Sequence, residues 1–212
     1  KPLYYGWVNN VFVFASELKA FKQVGDFNNE IDRSALALLL RYSAIPAPFS
    51  IYKDINKLLP GYILEFNLKS KKLKNYKFWS LEEVYKMGKK LKNFNSDKDA
   101  ISELDNILST AVAQQMNADV PLGAFLSGGI DSSLIVSLMQ KQSQQRVNTF
   151  SIGFDVKGFN EAEHARAVAN HLSTDHFDMY VTEQDALDVI PDLPHIYDEP
   201  FADSSQIPTY LV

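Results

Sequence analysis

An apolar run from Val120 to Leu126 leads directly into Ser127-Gly128-Gly129-Ile130-Asp131-Ser132-Ser133, and a stretch follows in which Leu134/Leu138 and Ile135/Met139 stack four apart. The run reads as a buried strand and Asp131 to Gln142 as a helix. A strand, a glycine turn and a helix in immediate succession constrain everything around them. Gly128 and Gly129 let the backbone turn sharply and approach a ligand with no Cβ in the way. The start of a helix offers unpaired N–H groups and partial positive charge, which suit a phosphate or pyrophosphate. Ser127, Ser132 and Ser133 can add hydroxyl donors. Asp131 would repel phosphate unless a cation intervened, so its expected role is to hold Mg²⁺ bridging the phosphates. The competing reading is a serine-glycine turn with Asp131 as an N-terminal cap.

The surrounding pattern alternates helices and buried strands. Asp99 to Met116 is expected as a helix, Val147 to Phe154 as a strand, Glu161 to Leu172 as a helix, His176 to Val181 as a strand and Glu183 to Tyr197 as a helix. This spacing implies a parallel sheet covered on both faces, an α/β domain. The earlier part reads differently. Leu3-Tyr4-Tyr5 and Val11-Phe12-Val13-Phe14 are short strands, Asn29 caps a helix to about Ser43, and Tyr62 to Phe66 with Lys74 to Phe78 form a hairpin or adjacent strands. Lys86 to Lys98, lysine-rich and polar, reads as a linker with a solvated face. The expected division is therefore residues 1–85, a linker at 86–98, and 99–212.

Composition narrows the function classes. The 212 residues are 46% hydrophobic and 22% charged, ordinary globular usage that excludes disordered and fibrous chains. A net charge of -5 argues against a nucleic-acid or membrane partner, and no apolar run reaches the roughly 18 residues of a membrane helix. A cytoplasmic protein is expected. With no cysteine, disulfides, thiolate zinc sites and thiol nucleophiles are absent from these residues. The four histidines, His164, His171, His176 and His195, lack ligand spacing and are expected as surface or core residues. The chain starts at Lys1 and ends in an apolar, helix-like run at Leu211-Val212, so a piece of a longer protein is expected.

Ser-Gly-Gly-x-Asp-Ser resembles the PP-loop of ATP pyrophosphatases, and with no Gly-Lys-Ser/Thr it is not a Walker A loop. The flanking Val120-Pro121-Leu122-Gly123-Ala124-Phe125-Leu126 and Thr149-Phe150-Ser151-Ile152-Gly153-Phe154 resemble the glutamine-hydrolysing asparagine synthetase branch. So do Lys1-Pro2-Leu3-Tyr4-Tyr5-Gly6, Phe14 to Ala20 and Leu59-Pro60-Gly61. The resemblance implies an adenine nucleotide alpha-hydrolase-like PP-loop domain, preceded by the C-terminal part of an Ntn-type glutaminase α+β domain. It implies a ligase that takes ammonia from glutamine, activates a carboxylate with ATP as an acyl-adenylate, and releases AMP and pyrophosphate. ATP and Mg²⁺ are the implied cofactors, and a homodimer is compatible with the family. The implied nucleotide positions are Leu126, Ser127, Gly128, Gly129, Asp131, Ser132, Ser133, Ile152 and Gly153, with Asp131 on the metal. Leu126 and Ile152 can equally be strand core. The family's glutaminase nucleophile is an N-terminal cysteine, which these residues lack, and its second acidic Ser-Gly-x-Gly-x-Asp motif is expected downstream. The 212 residues are thus incomplete for either half reaction.

There is one departure. Asparagine synthetases of the enteric and plant type carry Thr-Thr-x-Arg-Ala-Ser to help hold aspartate, where this chain has Asp198-Glu199-Pro200-Phe201-Ala202-Asp203-Ser204-Ser205-Gln206-Ile207-Pro208. Asp198, Glu199, Asp203, Ser204 and Ser205 are candidates to face the substrate, or else a capping and turn cluster. Aspartate remains the first acceptor. The alternatives are another carboxylate, such as a sugar acid or a peptide, a different PP-loop enzyme such as a tRNA thiolation enzyme, and a non-catalytic nucleotide-binding scaffold.

Overall fold

A computed structural model describes residues 2–91, 94–154 and 161–211. The chain divides into two compact units, one of residues 1–92 with 191–204, the other of residues 93–190 with 205–212.

In the first unit, β1 (Tyr4–Val8) pairs antiparallel with β2 (Val11–Ala15) on one side and β3 (Ile55–Lys57) on the other. Alternation along β1 turns Tyr4, Gly6 and Val8 inward. They meet Leu18 and Phe21 of the 3₁₀ turn Leu18–Gln23, Ala35 of α1 (Arg33–Tyr42), and Ile45, Ile51 and Ile55. Leu18 and Phe21 are fully buried, each contributing about 2 kcal/mol of apolar burial. β4 (Tyr62–Phe66) and β5 (Leu73–Lys77) form an antiparallel hairpin, as the sequence predicts.

Three differences from the sequence reading have local causes. α1 starts at Arg33, because the Asp32 carboxylate accepts from the Ser34 and Ala35 amides and caps it there. The lysine-rich linker conceals α2 (Leu81–Leu91): Glu82 and Glu83 sit in its first turn, Lys89 and Lys90 in its last, and Lys86 pairs with Glu82 one turn back. The helix expected from Glu183 to Tyr197 is interrupted at Pro191, within a 3₁₀ turn at Ile190–Asp192, and Pro194 sits in the first turn of the short helix that follows.

The second unit is the expected α/β arrangement. β6 (Gly123–Phe125), β7 (Asn148–Phe154) and β8 (Asp175–Val181) form a parallel sheet in that order. The helices in chain order are α3 (Asp97–Gln115), α4 (Ile130–Gln142), α5 (Ala162–Leu172), α6 (Glu183–Val189), α7 (Leu193–Ile196) and α8 (Gln206–Leu211), of which α7 belongs to the first unit. α4 feeds two cores: Leu138 and Met139 pack with Val112 and Val147, and Val136 packs with Leu126, Ala165 and Ala169. Among the described residues no helix is long and apolar enough to cross a membrane.

Candidate functional site

The turn between β6 and α4 is held by its own serines. Leu126, almost fully buried, continues the ladder by donating its amide to the Phe150 carbonyl at 2.8 Å. The Ser127 and Ser132 hydroxyls lie 2.9 Å apart, and Ser132 Oγ also donates to the Gly129 carbonyl at 3.2 Å. The Gly129 amide donates back to Ser127 Oγ at 3.3 Å. Gly128 has φ +77°, a left-handed conformation that favours glycine. Gly129 is the N-cap of α4 and no side chain caps the helix, so Asp131 stands exposed in the first turn and is not the cap. Its charge there is favourable toward the helix N-terminus. Among the described residues, Ser133 Oγ is buried yet has no hydrogen-bond partner, a donor in want of an acceptor.

Seven of the sequence-predicted positions thus occupy one turn: Leu126, Ser127, Gly128, Gly129, Asp131, Ser132 and Ser133. Ile152 and Gly153 lie on the neighbouring strand, beyond the Phe125–Phe150 pair, toward the same C-terminal end of the sheet. That end is where open α/β sheets take ligands. No group of three or more His, Cys, Asp or Glu side chains able to hold a metal occurs among the described residues. Asp131 is the one carboxylate of the Ser127–Ser133 turn.

Beside this turn is a polar network that the sequence reading missed. Thr149 and Ser151 of β7 face the same side as His176 and Asp178 of β8, in register. Ser151 Oγ donates to Asp178 Oδ1 at 2.6 Å, His176 Nε2 lies 2.8 Å from the same oxygen, and Arg166 Nε of α5 donates to Oδ2 at 2.8 Å. Thr149 Oγ1 lies 2.9 Å from both His176 Nδ1 and Thr174 Oγ1. Burial pushes the Asp178 carboxyl up. Hydrogen bonds from Ser151 and Arg166, and the charges of His176 and Arg166, outweigh it and hold the group below its ordinary value of 3.8. A carboxylate shifted down stabilises the fold above its unfolded value and loses that contribution as pH falls through the folded value. The stability gap between the wild type and Asp178→Asn is therefore expected to be full at pH 6 and to shrink below 3.8. Thermal unfolding of both proteins from pH 6 to pH 3 checks this.

In the first unit, Asp198 and Glu199 are tightly engaged. Asp198 accepts from the amides of Leu18 at 2.6 Å and Lys19 at 3.1 Å, at the start of the 3₁₀ turn. Glu199 Oε1 accepts from the Ile51 amide at 2.7 Å, and Oε2 accepts from the Tyr4 hydroxyl at 3.0 Å and pairs with Lys57. Burial, reinforced by the Glu199 and Asp198 charges, raises the Tyr4 phenol above its ordinary range. Lys19 Nζ donates to the Ile196 carbonyl and the Ala202 amide donates to the Ser43 carbonyl. Asp203, Ser204 and Ser205 are exposed. These contacts lie 142 (Lys57 to Glu199) to 195 (Tyr4 to Glu199) residues apart in sequence, so no local pattern announced them.

Residues 103–212 match the family model described as asparagine synthase, and residues 1–79 match that of a glutamine amidotransferase domain. The chain belongs to the glutamine-hydrolysing asparagine synthetase family. It is 38% identical along its whole length to a Methanocaldococcus jannaschii protein provisionally named asparagine synthetase (glutamine-hydrolysing) 2, of which it covers 40%. It is 32% identical, again along its whole length, to asparagine synthetase (glutamine-hydrolysing) 1 of Bacillus subtilis, of which it also covers 32%. With asparagine synthetase B of Escherichia coli it shares 32% identity over 117 residues, 48% of this chain and 21% of that protein. The chain thus spans well under half the length of these asparagine synthetases. α2 falls wholly between the two family matches. Residues 191–204 lie inside the asparagine synthase match yet fold into the amidotransferase-type unit.

Proposed function

We propose that this chain is part of a cytoplasmic ligase that amidates a carboxylate with ammonia from glutamine, through an acyl-adenylate, with aspartate as the first acceptor. ATP is a substrate, and the products include AMP and pyrophosphate. The reading identifies the second unit with the PP-loop fold and the first with the later part of an Ntn-type glutaminase. The supporting observation is the uncapped start of α4 behind Gly128-Gly129, with the buried, unpartnered Ser133 hydroxyl. Phosphate oxygens would supply the missing acceptors.

In this reading the Ser127–Ser133 turn binds the phosphates, while Leu126, Ile152 and Gly153 flank the adenine. Asp131 would hold Mg²⁺, which when bound neutralises the developing pyrophosphate. The turn's amides and serine hydroxyls orient the α–β linkage and stabilise charge as the carboxylate displaces pyrophosphate. Asp203, Ser204 and Ser205 are the candidates to face the acceptor, and Asp198 and Glu199 take a packing role within the first unit. That assignment is compatible with aspartate as acceptor, since Glu199 pairs with Lys57 and Asp198 accepts from the Leu18 and Lys19 amides within the first unit. A sugar acid or peptide acceptor remains the second reading, favoured by the absence of the Thr-Thr-x-Arg-Ala-Ser segment.

The full-length enzyme should release AMP and pyrophosphate from ATP, Mg²⁺ and glutamine, dependent on an acceptor, with aspartate giving the largest response. Products of ADP and phosphate would sink the adenylation reading. An equal response without any acceptor would point to a different PP-loop activity or to a scaffold.

A further inference from the structure

We infer that Asp178 is a positioning residue for the Ser127–Ser133 turn, acting through α5. This rests on the reading of that turn as the phosphate site. A Cβ built on Gly128 would lie 2.7 Å from the Ala165 amide nitrogen and 2.8 Å from the His164 carbonyl carbon. Gly128 is therefore seated directly on the first turns of α5. The small, fully buried Ala162 and Ala165 allow α5 to come in this closely. The N-cap residue Glu161 makes no side-chain capping bond.

Arg166 links the first turns of α5 to the sheet. It reaches Asp178 with two nitrogens, Nε and one terminal nitrogen, both on Oδ2. The opposite oxygen of Asp178 is held by Ser151 and His176. Ser151 immediately precedes Ile152 and Gly153 on β7. One carboxylate thus fixes both the surface behind Gly128 and the strand that carries the adenine-side residues. A charge-assisted fork has the directionality for this, and small displacements at a phosphate site are costly in rate and affinity.

The test uses the full-length enzyme with Asp178→Asn, Asp178→Glu, Arg166→Gln and the Asp178→Asn/Arg166→Gln double variant. KM for ATP and kcat of pyrophosphate release are measured beside equilibrium binding of a fluorescent ATP analogue and the thermal midpoint. Asp178→Asn and Arg166→Gln are each expected to raise KM for ATP and weaken analogue binding about tenfold, with kcat falling less than about threefold. The double variant should be no worse than either single one, because both remove the same link. Asp178→Glu should recover part of the loss. A lowered thermal midpoint with unchanged KM and analogue binding would reduce the network to a structural role and overturn the proposal, as would additive losses in the double variant. If the wild type binds the analogue but releases no pyrophosphate, the proposed reaction falls, and the binding comparison still decides the positioning role. If the wild type does not bind the analogue, both fall.

Discussion

Replacing Asp131 by Asn in the full-length enzyme should lower pyrophosphate release by about 10²- to 10³-fold, the range found when one charge-stabilising group is removed from a reacting centre. Glutamine hydrolysis should persist in the same variant. The contrast follows from position. Asp131 stands exposed in the first turn of α4, and among the described residues no hydroxyl or amide of the turn hydrogen-bonds to it. The Asn side chain keeps the shape and removes the negative charge that would hold Mg²⁺ against phosphates. Helix stability should change by less than about 1 kcal/mol, the scale of a single charge at a helix end. Activity and fold are therefore expected to separate cleanly. Parallel assays of pyrophosphate and glutamate, with far-UV circular dichroism, check the result. Full pyrophosphate release by Asp131→Asn would refute the metal role.

The second large effect concerns stability. Lys57→Met should destabilise the first unit by about 3–5 kcal/mol, because it removes the cation from a nearly buried pair and leaves Glu199 charged. Both side chains are only about a tenth exposed (12% for Lys57, 10% for Glu199), so water cannot take the cation's place. Lys57 also donates to the Ile45 carbonyl at 2.6 Å and sits 5.6 Å from the Tyr4 ring centroid, so its loss leaves further groups poorly matched. Adding Glu199→Gln to Lys57→Met should restore much of the loss. The Gln oxygen can still accept from the Ile51 amide, and its NH₂ can donate to the Tyr4 hydroxyl, while no charge is buried. Urea unfolding can follow this directly, since both tryptophans of the chain, Trp7 and Trp79, belong to this unit. A double variant as unstable as Lys57→Met alone would show that the pair's charge is not what matters.

Where structure depended on neighbours in sequence, it was legible. The glycine turn and the helix to Gln142 appear as read, because periodicity and glycines act over a few residues, while the strand expected from Val120 to Leu126 shrinks to Gly123–Phe125 with Val120 and Phe125 exposed. The competing reading of Asp131 as the helix cap does not hold: it has capping chemistry, yet the extended N-cap backbone falls at Gly129. The Asp178 network was invisible for a different reason. Ser151, His176 and Asp178 are unremarkable apart, and only the parallel register of β7 against β8 brings them to one face. The alternation Thr149/Ser151 and His176/Asp178, polar every second residue on strands expected to be buried, was the available signal. Asp198 and Glu199 carried none. Their carboxylate character was plain, but their partners lie in the first 57 residues, and composition cannot pair residues so far apart.

The fold of residues 191–204 has a practical consequence for dissecting the protein. Composition invites a cut between α2 and α3, which would yield an amidotransferase-type piece ending near residue 92. That piece would carry the Tyr4 hydroxyl, the Lys57 ammonium and the amides of Leu18, Lys19 and Ile51 with their carboxylate acceptors gone. Such a piece should be soluble only poorly or remain partly unfolded. A synthetic peptide covering residues 191–204, supplied in trans, should rescue it by fragment complementation. The unit is thus discontinuous in the gene and continuous in the fold, and an exchange of amidotransferase units between relatives would have to transplant this second segment with the first.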